Sequence, residues 1–273
     1  MHRFFVPPDR CADPEFALGD AEARHAHQVL RLGRGDRLEV LDGRGTLIEG
    51  EIVSAARGRV EVRALARQVR PRAAHRLVLL QALLKGRAMD VVLEKSVELG
   101  VDCLVLLETE RCVARVAAEE AGRKRAVWTQ TLVEAAKQSR NPWLPELVGP
   151  LPMDQALERP SDPPGRPGTT TLLLASLEPG TPPMGGVLES FRPGPPPHSW
   201  AVAVGPEGDF SPGELDRLRR HGGIGVSLGP LILRAETAAI AAIAVLADFT
   251  RRVGWTPGPG APPIAPPPIA AGR

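Results

Sequence analysis

The hydrophobic rhythm of the chain changes once, near His75, and that change limits the possible folds more than any other feature. Upstream, residues 37–41, 47–53 and 59–63 are short runs in which apolar and charged residues alternate, separated by glycine turns such as Asp42-Gly43. Alternate residues of a strand face opposite sides, so the pattern predicts half-buried antiparallel strands joined by hairpins, a small β-barrel. Downstream, 77–82 and 103–107 are continuously apolar, and 88–99 between them has helical character closed by Gly100. Further strands are expected over 171–175, 201–204 and 225–228. Ser211-Pro-Gly-Glu214 has capping-box spacing with proline at the first helical position, so a helix starts there. The last helix, 236–251, carries alanine and isoleucine on nearly every face and is expected to be heavily buried. Apolar strands alternating with helices call for an α/β unit whose parallel sheet is covered on both sides. The boundary between the two units falls in 68–75, where Pro71 interrupts a charged segment.

With 273 residues, 43% of them hydrophobic, the chain has material for a real core, which excludes disorder throughout. Only the Pro/Gly-rich stretches 160–168, 179–186, 193–197 and 257–273 read as loops or tail. Cys11, Cys103 and Cys112 share no metal-ligand spacing and make no disulfide framework, which suits a reducing cytoplasm. No stretch has signal-peptide character or the apolar length a bilayer requires, so a soluble, cytoplasmic protein with no membrane partner is expected. A formal charge of +2 does not announce a nucleic-acid partner, although arginines crowd the first quarter of the chain.

Ligands of parallel α/β sheets sit beyond the carboxyl ends of the strands, so the glycine loops that follow strands are the positions to inspect. Two stand out: Val204-Gly-Pro-Glu-Gly-Asp209 and Leu228-Gly-Pro-Leu-Ile-Leu-Arg-Ala-Glu-Thr237. Glycine admits close backbone approach and proline stiffens the loop, which suits a pocket made of main-chain groups; ordinary βα turns use the same residues. No dinucleotide fingerprint, phosphate-loop lysine or nucleophile elbow occurs, so dehydrogenase, nucleotide hydrolase and α/β-hydrolase readings lose their support. His25-Ala-His27 lacks partners at ligand spacing, and no metal is expected.

Several ordered strings together resemble the bacterial RsmE family. They are Met1-His-Arg-Phe-Phe-Val6, Lys85-Gly-Arg-Ala-Met-Asp-Val-Val-Leu-Glu-Lys-Ser-Val-Glu-Leu-Gly100, Thr109-Glu-Arg-Cys112, Glu134-Ala-Ala-Lys-Gln-Ser-Arg-Asn141, Val204-Gly-Pro-Glu-Gly208 and Leu228-Gly-Pro-Leu-Ile-Leu-Arg-Ala-Glu-Thr-Ala238. That family methylates N3 of one uridine in 16S rRNA. Composition marks 257–273 as a Pro-rich, dispensable tail, and the resemblance implies a PUA-like RNA-binding β-barrel over 1–70 and a SPOUT-class α/β methyltransferase domain with a trefoil knot over 75–256. It implies S-adenosylmethionine as methyl donor, 16S rRNA or the small ribosomal subunit as partner, and a homodimer packed through the knot domain.

Carried onto this chain, the donor pocket comprises Leu174, Ala175, Gly205, Pro206, Glu207, Gly208, Leu228, Gly229, Leu233 and Arg234. Arg234 is the leading catalytic candidate because a guanidinium donates two parallel hydrogen bonds to a planar acceptor. Glu207 is the second, and Glu236 a further candidate to pair with Arg234 or accept a proton. An Arg234 salt bridge that only fixes the loop is the alternative. For RNA, Lys85 and Arg87 follow the first strand of the second unit, Arg111, Arg140 and Asn141 are expected to share their groove, and Arg3 and Arg31 lie in the barrel. Two positions depart from the family: Asp209 stands where a second glycine is usual, and Leu231 where arginine often stands. Competing readings are a non-catalytic ribosome-assembly factor, a methyltransferase of another RNA, and, from the α/β rhythm alone, a dehydrogenase.

Overall fold

The computed structural model describes residues 1–56, 58–73, 75–158, 170–191 and 199–252. The proline-rich stretches at 160–168 and 193–197 and the tail at 257–273 lie outside them. Two sheets organise the chain. The first contains β1 (His2–Phe5), β2 (Glu15–Ala17), β3 (Arg37–Leu41), β4 (Thr46–Ala56) and β5 (Arg59–Val69), in the order β1-β3-β4-β5-β2. Between β2 and β3 lie α1 (Asp20–Arg24) and a π-helical turn, His25–Val29. Register shifts between β4 and β5 bend the sheet, and Phe4, Phe16, Leu38, Val40, Ile48, Ile52, Val60 and Val62 close over one core. β1 pairs parallel to β3, and among the described residues the outer strands β1 and β2 do not pair, so the expected barrel is partly open. β2 is only three residues long, too short to close it.

The second sheet is parallel throughout, in the order β11-β9-β10-β6-β7-β8. Its elements follow in sequence: β6 (Arg76–Ala82), α2 (Arg87–Glu98), β7 (Cys103–Glu108), α3 (Ala118–Ser139), β8 (Glu146–Pro152), α4 (Met153–Leu157), β9 (Thr170–Ala175), α5 (Met184–Ser190), β10 (Ser199–Val204), α6 (Pro212–Arg220), β11 (Ile224–Val226) and α7 (Ala235–Arg252). One face packs Leu79, Leu104, Leu173 and Val202 against α2, α3, α5 and α7, and the other packs Leu80, Leu107 and Leu174 against α4 and α6. Alternation along each strand sends neighbouring leucines to opposite cores, as a doubly covered sheet requires.

The α6 capping box is present. Ser211 Oγ accepts from Glu214 N at 3.3 Å, and Glu214 Oε2 accepts from Ser211 N at 2.8 Å. Two expectations need correction. Residues 184–186 are not loop but the first turn of α5. The last helix is buried on one side only: Ala239, Ala242, Ile243 and Leu246 face the core, whereas Thr237, Val245 and Asp248 are exposed. α2, α5, β6 and β10 cover that one side, which is enough to order a helix with a broad apolar stripe. Having left the edge strand β11, α7 crosses back over β10 and β6.

The two units meet at the amino ends of β6, β7 and β8. Gly45 N donates to Pro142 O at 2.9 Å, Leu144 N to Gly43 O at 3.0 Å, and Arg44 bridges to Trp143. Gly45 has φ +100°, and a Cβ there would stand 2.4 Å from the Trp143 ring, so only glycine fits. Lys137 of α3 pairs with Glu22 of α1 at 2.9 Å.

Candidate functional site

The carboxyl ends of β9, β10 and β11 carry three loops that close around one cavity of about 510 Å³, a volume within the usual range for small-ligand sites. The first and third loops run side by side: Ser176 N donates to Val226 O (3.0 Å), Ser227 N to Pro182 O (2.8 Å) and Met184 N to Ser227 O (2.9 Å). The second loop turns tightly, with Asp209 N donating to Pro206 O at 2.9 Å. A Cβ on Gly205 would lie 2.9 Å from Asp209 Oδ1 and 3.0 Å from Phe210 N, so this turn cannot take a side chain at 205. Gly229, at φ +137°, would send a Cβ into open space; here the backbone conformation, not crowding, favours glycine.

Of the residues expected at the donor site, Ala175, Gly205, Pro206, Glu207, Leu228, Gly229, Leu233 and Arg234 line this cavity. Leu174 does not. Its side chain points to the opposite face of the sheet and is buried beside Phe210 and Leu218, because consecutive strand residues alternate. Gly208 also lies off the lining, against the side chain of Arg111. The expected set omitted Ala88, Ser176, Leu177 and Ile232, which line the cavity too. Ala88 was findable, since it follows the Lys85-Gly-Arg87 turn at the carboxyl end of β6. Asp209 and Leu231, the two departures from the family pattern, both line the cavity. Asp209 adopts φ +59°, which aspartate tolerates better than most residues, and its Oδ1 accepts from Phe210 N at 2.7 Å.

The charged groups of the rim are unengaged. Arg234 and Glu207 are exposed and Glu236 half-buried, and among the described residues none of the three side chains has a hydrogen-bond or ion-pair partner. A structural salt bridge for Arg234 is therefore not formed within the described chain. Leu231 and Ile232 are 75% and 84% exposed, an unusual display of apolar surface beside a cavity.

The residues expected to contact RNA do not form one groove. Lys85 and Arg87 are exposed at the cavity end of the sheet, without side-chain partners among the described residues. Arg111 follows β7 at that same end, but its Nη1 donates to Gly208 O (2.9 Å) and Phe210 O (3.3 Å). Arg140 and Asn141 precede β8, which places them at the opposite, amino end of a parallel sheet. Asn141 is committed internally, donating to Val97 O at 2.9 Å and accepting from Trp143 N at 3.0 Å. Arg140 stands 3.4 Å from Glu39 of the first sheet. Arg3 belongs to the joint: its Nη1 donates to Lys137 O (2.7 Å) and Gln138 O (3.0 Å), and its Nε lies 3.4 Å from Glu39. Arg31 is exposed on the first unit at φ +56°.

Among the described residues no group of His, Cys, Asp and Glu is placed to hold a metal, and no helix is long and apolar enough to cross a membrane. Cys11, Cys103 and Cys112 are buried and form no disulfide.

Comparison with known proteins agrees with this geometry. The ribosomal RNA small subunit methyltransferase E of Synechocystis sp. (strain PCC 6803) is 29% identical over 243 residues, covering 89% of this chain and 76% of its own. The protein of that name from Mycobacterium bovis is 29% identical, covering 85% of each chain. A crystal structure of ribosomal RNA small subunit methyltransferase E from Neisseria gonorrhoeae bound to S-adenosyl methionine superposes with TM-score 0.78 at 28% identity, over 91% of this chain and 98% of that one. An RNA methyltransferase PUA domain matches residues 18–65, within the first sheet unit. The RNA methyltransferase domain matches residues 71–247, the whole second sheet and most of α7, and the chain belongs to that RNA methyltransferase family.

Proposed function

We propose that this protein transfers a methyl group from S-adenosylmethionine to N3 of one uridine in the 16S rRNA of the small ribosomal subunit. The observation that carries the reading is a cavity built from all three loops at the carboxyl ends of β9, β10 and β11, with the Arg234 guanidinium, unpaired among the described residues, at its rim. The cavity suits the donor: its walls are apolar at Val204, Leu228, Leu233 and Ala238, and its loops bring main-chain groups to the surface at Gly205 and Gly229. When bound there, S-adenosylmethionine supplies an electrophilic methyl on a sulfonium.

The chain's own residues must deal with the acceptor. Uridine N3 carries a proton at neutral pH, and attack requires its loss. Arg234 donates hydrogen bonds to the uracil carbonyl oxygens, where the negative charge of the deprotonated base resides. Glu207 accepts the N3 proton. A carboxylate is a weaker base than the uracil anion, so the stabilisation by Arg234 carries most of the burden and Glu207 the smaller part. Positioning supplies the rest, since a nitrogen held in line with the methyl reacts as an intramolecular partner. Lys85 and Arg87 hold RNA phosphate beside the cavity, because the turn they form leads directly into Ala88 of its wall. Arg31 adds a contact from the first unit.

The exposed Leu231, Ile232 and Val245 support a homodimer formed through the knot domain, and the ribosomal substrate supports a cytoplasmic location. The test is to incubate the protein with radiolabelled S-adenosylmethionine and small subunits from a strain lacking the modification, then map the label by nuclease digestion and mass spectrometry. Label at a single uridine as N3-methyluridine supports the proposal; label at another base keeps the reaction class and overturns the substrate. Calorimetric absence of donor binding would favour the assembly-factor reading instead.

A further inference from the structure

We propose that Arg111 is a positioning residue for the donor loop rather than an RNA contact, and that it joins the loop after β7 to the loop after β10 as one unit. This inference rests on the reading of the cavity as the S-adenosylmethionine site. The residues on each side of Asp209 present their carbonyls, Gly208 O and Phe210 O, to a single guanidinium nitrogen, Arg111 Nη1, at 2.9 and 3.3 Å. The left-handed conformation of Asp209 at φ +59° sets how those two carbonyls are presented. The arginine stem lies against Gly208, where an added Cβ would meet Arg111 Cβ at 3.4 Å and Cδ at 3.6 Å.

Two further contacts join the same two segments. Glu110 N donates to Glu214 Oε1 at 2.8 Å, while Glu214 Oε2 accepts from Ser211 N in the α6 capping box. Arg217 Nη2 donates to Glu110 Oε1 at 3.2 Å. Glu214 is 1% exposed, so its carboxylate is a buried anchor with both oxygens occupied. The loop after β7 is thereby fastened to α6 at one point and, through Arg111, to the cavity-lining turn at another. Lys85 and Arg87, by contrast, have no side-chain partner among the described residues. An arginine that already donates to two carbonyls of its own chain has less to offer a phosphate, and moving it would release the turn that carries Gly205 to Asp209.

The experiment compares the full-length wild type with Arg111→Ala and Arg111→Lys. Calorimetry measures S-adenosylmethionine binding, and filter binding of small subunits between 50 and 200 mM salt, roughly the range over which phosphate contacts change affinity strongly, measures the salt slope. Arg111→Ala is expected to weaken donor binding about tenfold, a change of about 1.4 kcal/mol, and to raise KM for the donor, with the salt slope unchanged. Arg111→Lys, which keeps a cation but loses the planar fork, is expected to recover only part of the loss. Unchanged donor affinity with a slope shallower by about 0.7–0.9, the loss of one phosphate contact, would overturn the proposal. Unchanged donor affinity with an unchanged slope would overturn it too. Because Arg111→Ala can loosen the fold, amide exchange on the wild type gives an independent reading. Segments 109–115 and 205–211 are expected to gain protection together when S-adenosylmethionine is added, and protection confined to 205–211 would contradict the coupling. Failure of the wild type to bind S-adenosylmethionine at all would instead remove the function on which the inference rests.

Discussion

The two ends of the parallel sheet use the same kinds of side chain for opposite purposes. At the amino end, where the barrel unit docks, charges are matched: Lys137 with Glu22, Arg3 with Glu39, Arg72 with Asp102 and Arg76 with Glu146. At the carboxyl end, Arg234, Glu207, Glu236, Lys85 and Arg87 have no such partners among the described residues, and Leu231 and Ile232 stand in solvent. Lys137–Glu22, with Arg140–Glu39 beside it, crosses between the two units, and the other pairs brace the segments on either side of the joint. Unmatched charges around an apolar cavity are groups whose partner arrives with a ligand. With the proposed function, chemistry belongs to the carboxyl end and assembly to the amino end, although arginine is prominent at both.

The largest effect that could break this division is at Arg234. Arg234→Ala is expected to lower methyl transfer by about 100- to 1,000-fold, the range seen when a group stabilising developing charge is removed. Its unfolding free energy should stay within about 0.5 kcal/mol of wild type in urea denaturation, because the side chain is exposed and has no hydrogen-bond or ion-pair partner among the described residues. Gly45→Ala should do the reverse. A methyl group 2.4 Å from the Trp143 ring, at φ +100°, is expected to cost roughly 2–3 kcal/mol in the same denaturation experiment, and to leave the donor affinity of the folded fraction unchanged.

Lys137→Met sharpens the comparison at the joint. Burial alone would lower the Lys137 pKa, but hydrogen bonds to Glu134 and Glu22 outweigh it and hold the ammonium above the usual lysine value. A group whose folded pKa is raised gives stability that is fully present below the unfolded value and lost as pH rises through the folded one, here above about 10.4. The substitution should cost about 2 kcal/mol at neutral pH, less than for a wholly buried pair, and should flatten the alkaline part of a stability-versus-pH curve. The smallest effect is expected at Asp209. Asp209→Gly relieves a left-handed aspartate but removes the Oδ1 acceptor of Phe210 N, so the melting temperature should shift by no more than about 2 °C.

What the sequence made legible follows from how local each signal is. β6, α2, the α6 capping box and the two glycine loops are written in contiguous residues, and the structure places them within a residue or two of the expected ends. β8 was missed because Gly149, Pro150 and Pro152 break its apolar run, which only an edge strand tolerates. α3 is not among the expected elements, because charged residues crowd its first turns, from Glu119 to Arg125. Eight of the eighteen cavity-lining residues were legible as donor-site residues through the family resemblance. The division of the arginines was not, since whether Arg3, Arg111 or Arg234 is engaged depends on carbonyls and carboxylates up to 135 residues away in sequence.

The measurement that tests the division most directly is single-turnover transfer of labelled methyl to unmodified small subunits, comparing wild type, Arg234→Ala and Lys137→Met at a temperature where all three are folded. The account predicts that Arg234→Ala loses the transfer step while binding S-adenosylmethionine, and that Lys137→Met keeps a transfer rate within about threefold of wild type, less than 1 kcal/mol on the barrier. Retained transfer in Arg234→Ala, or its loss in folded Lys137→Met, would contradict the assignment of chemistry to the carboxyl end and assembly to the amino end.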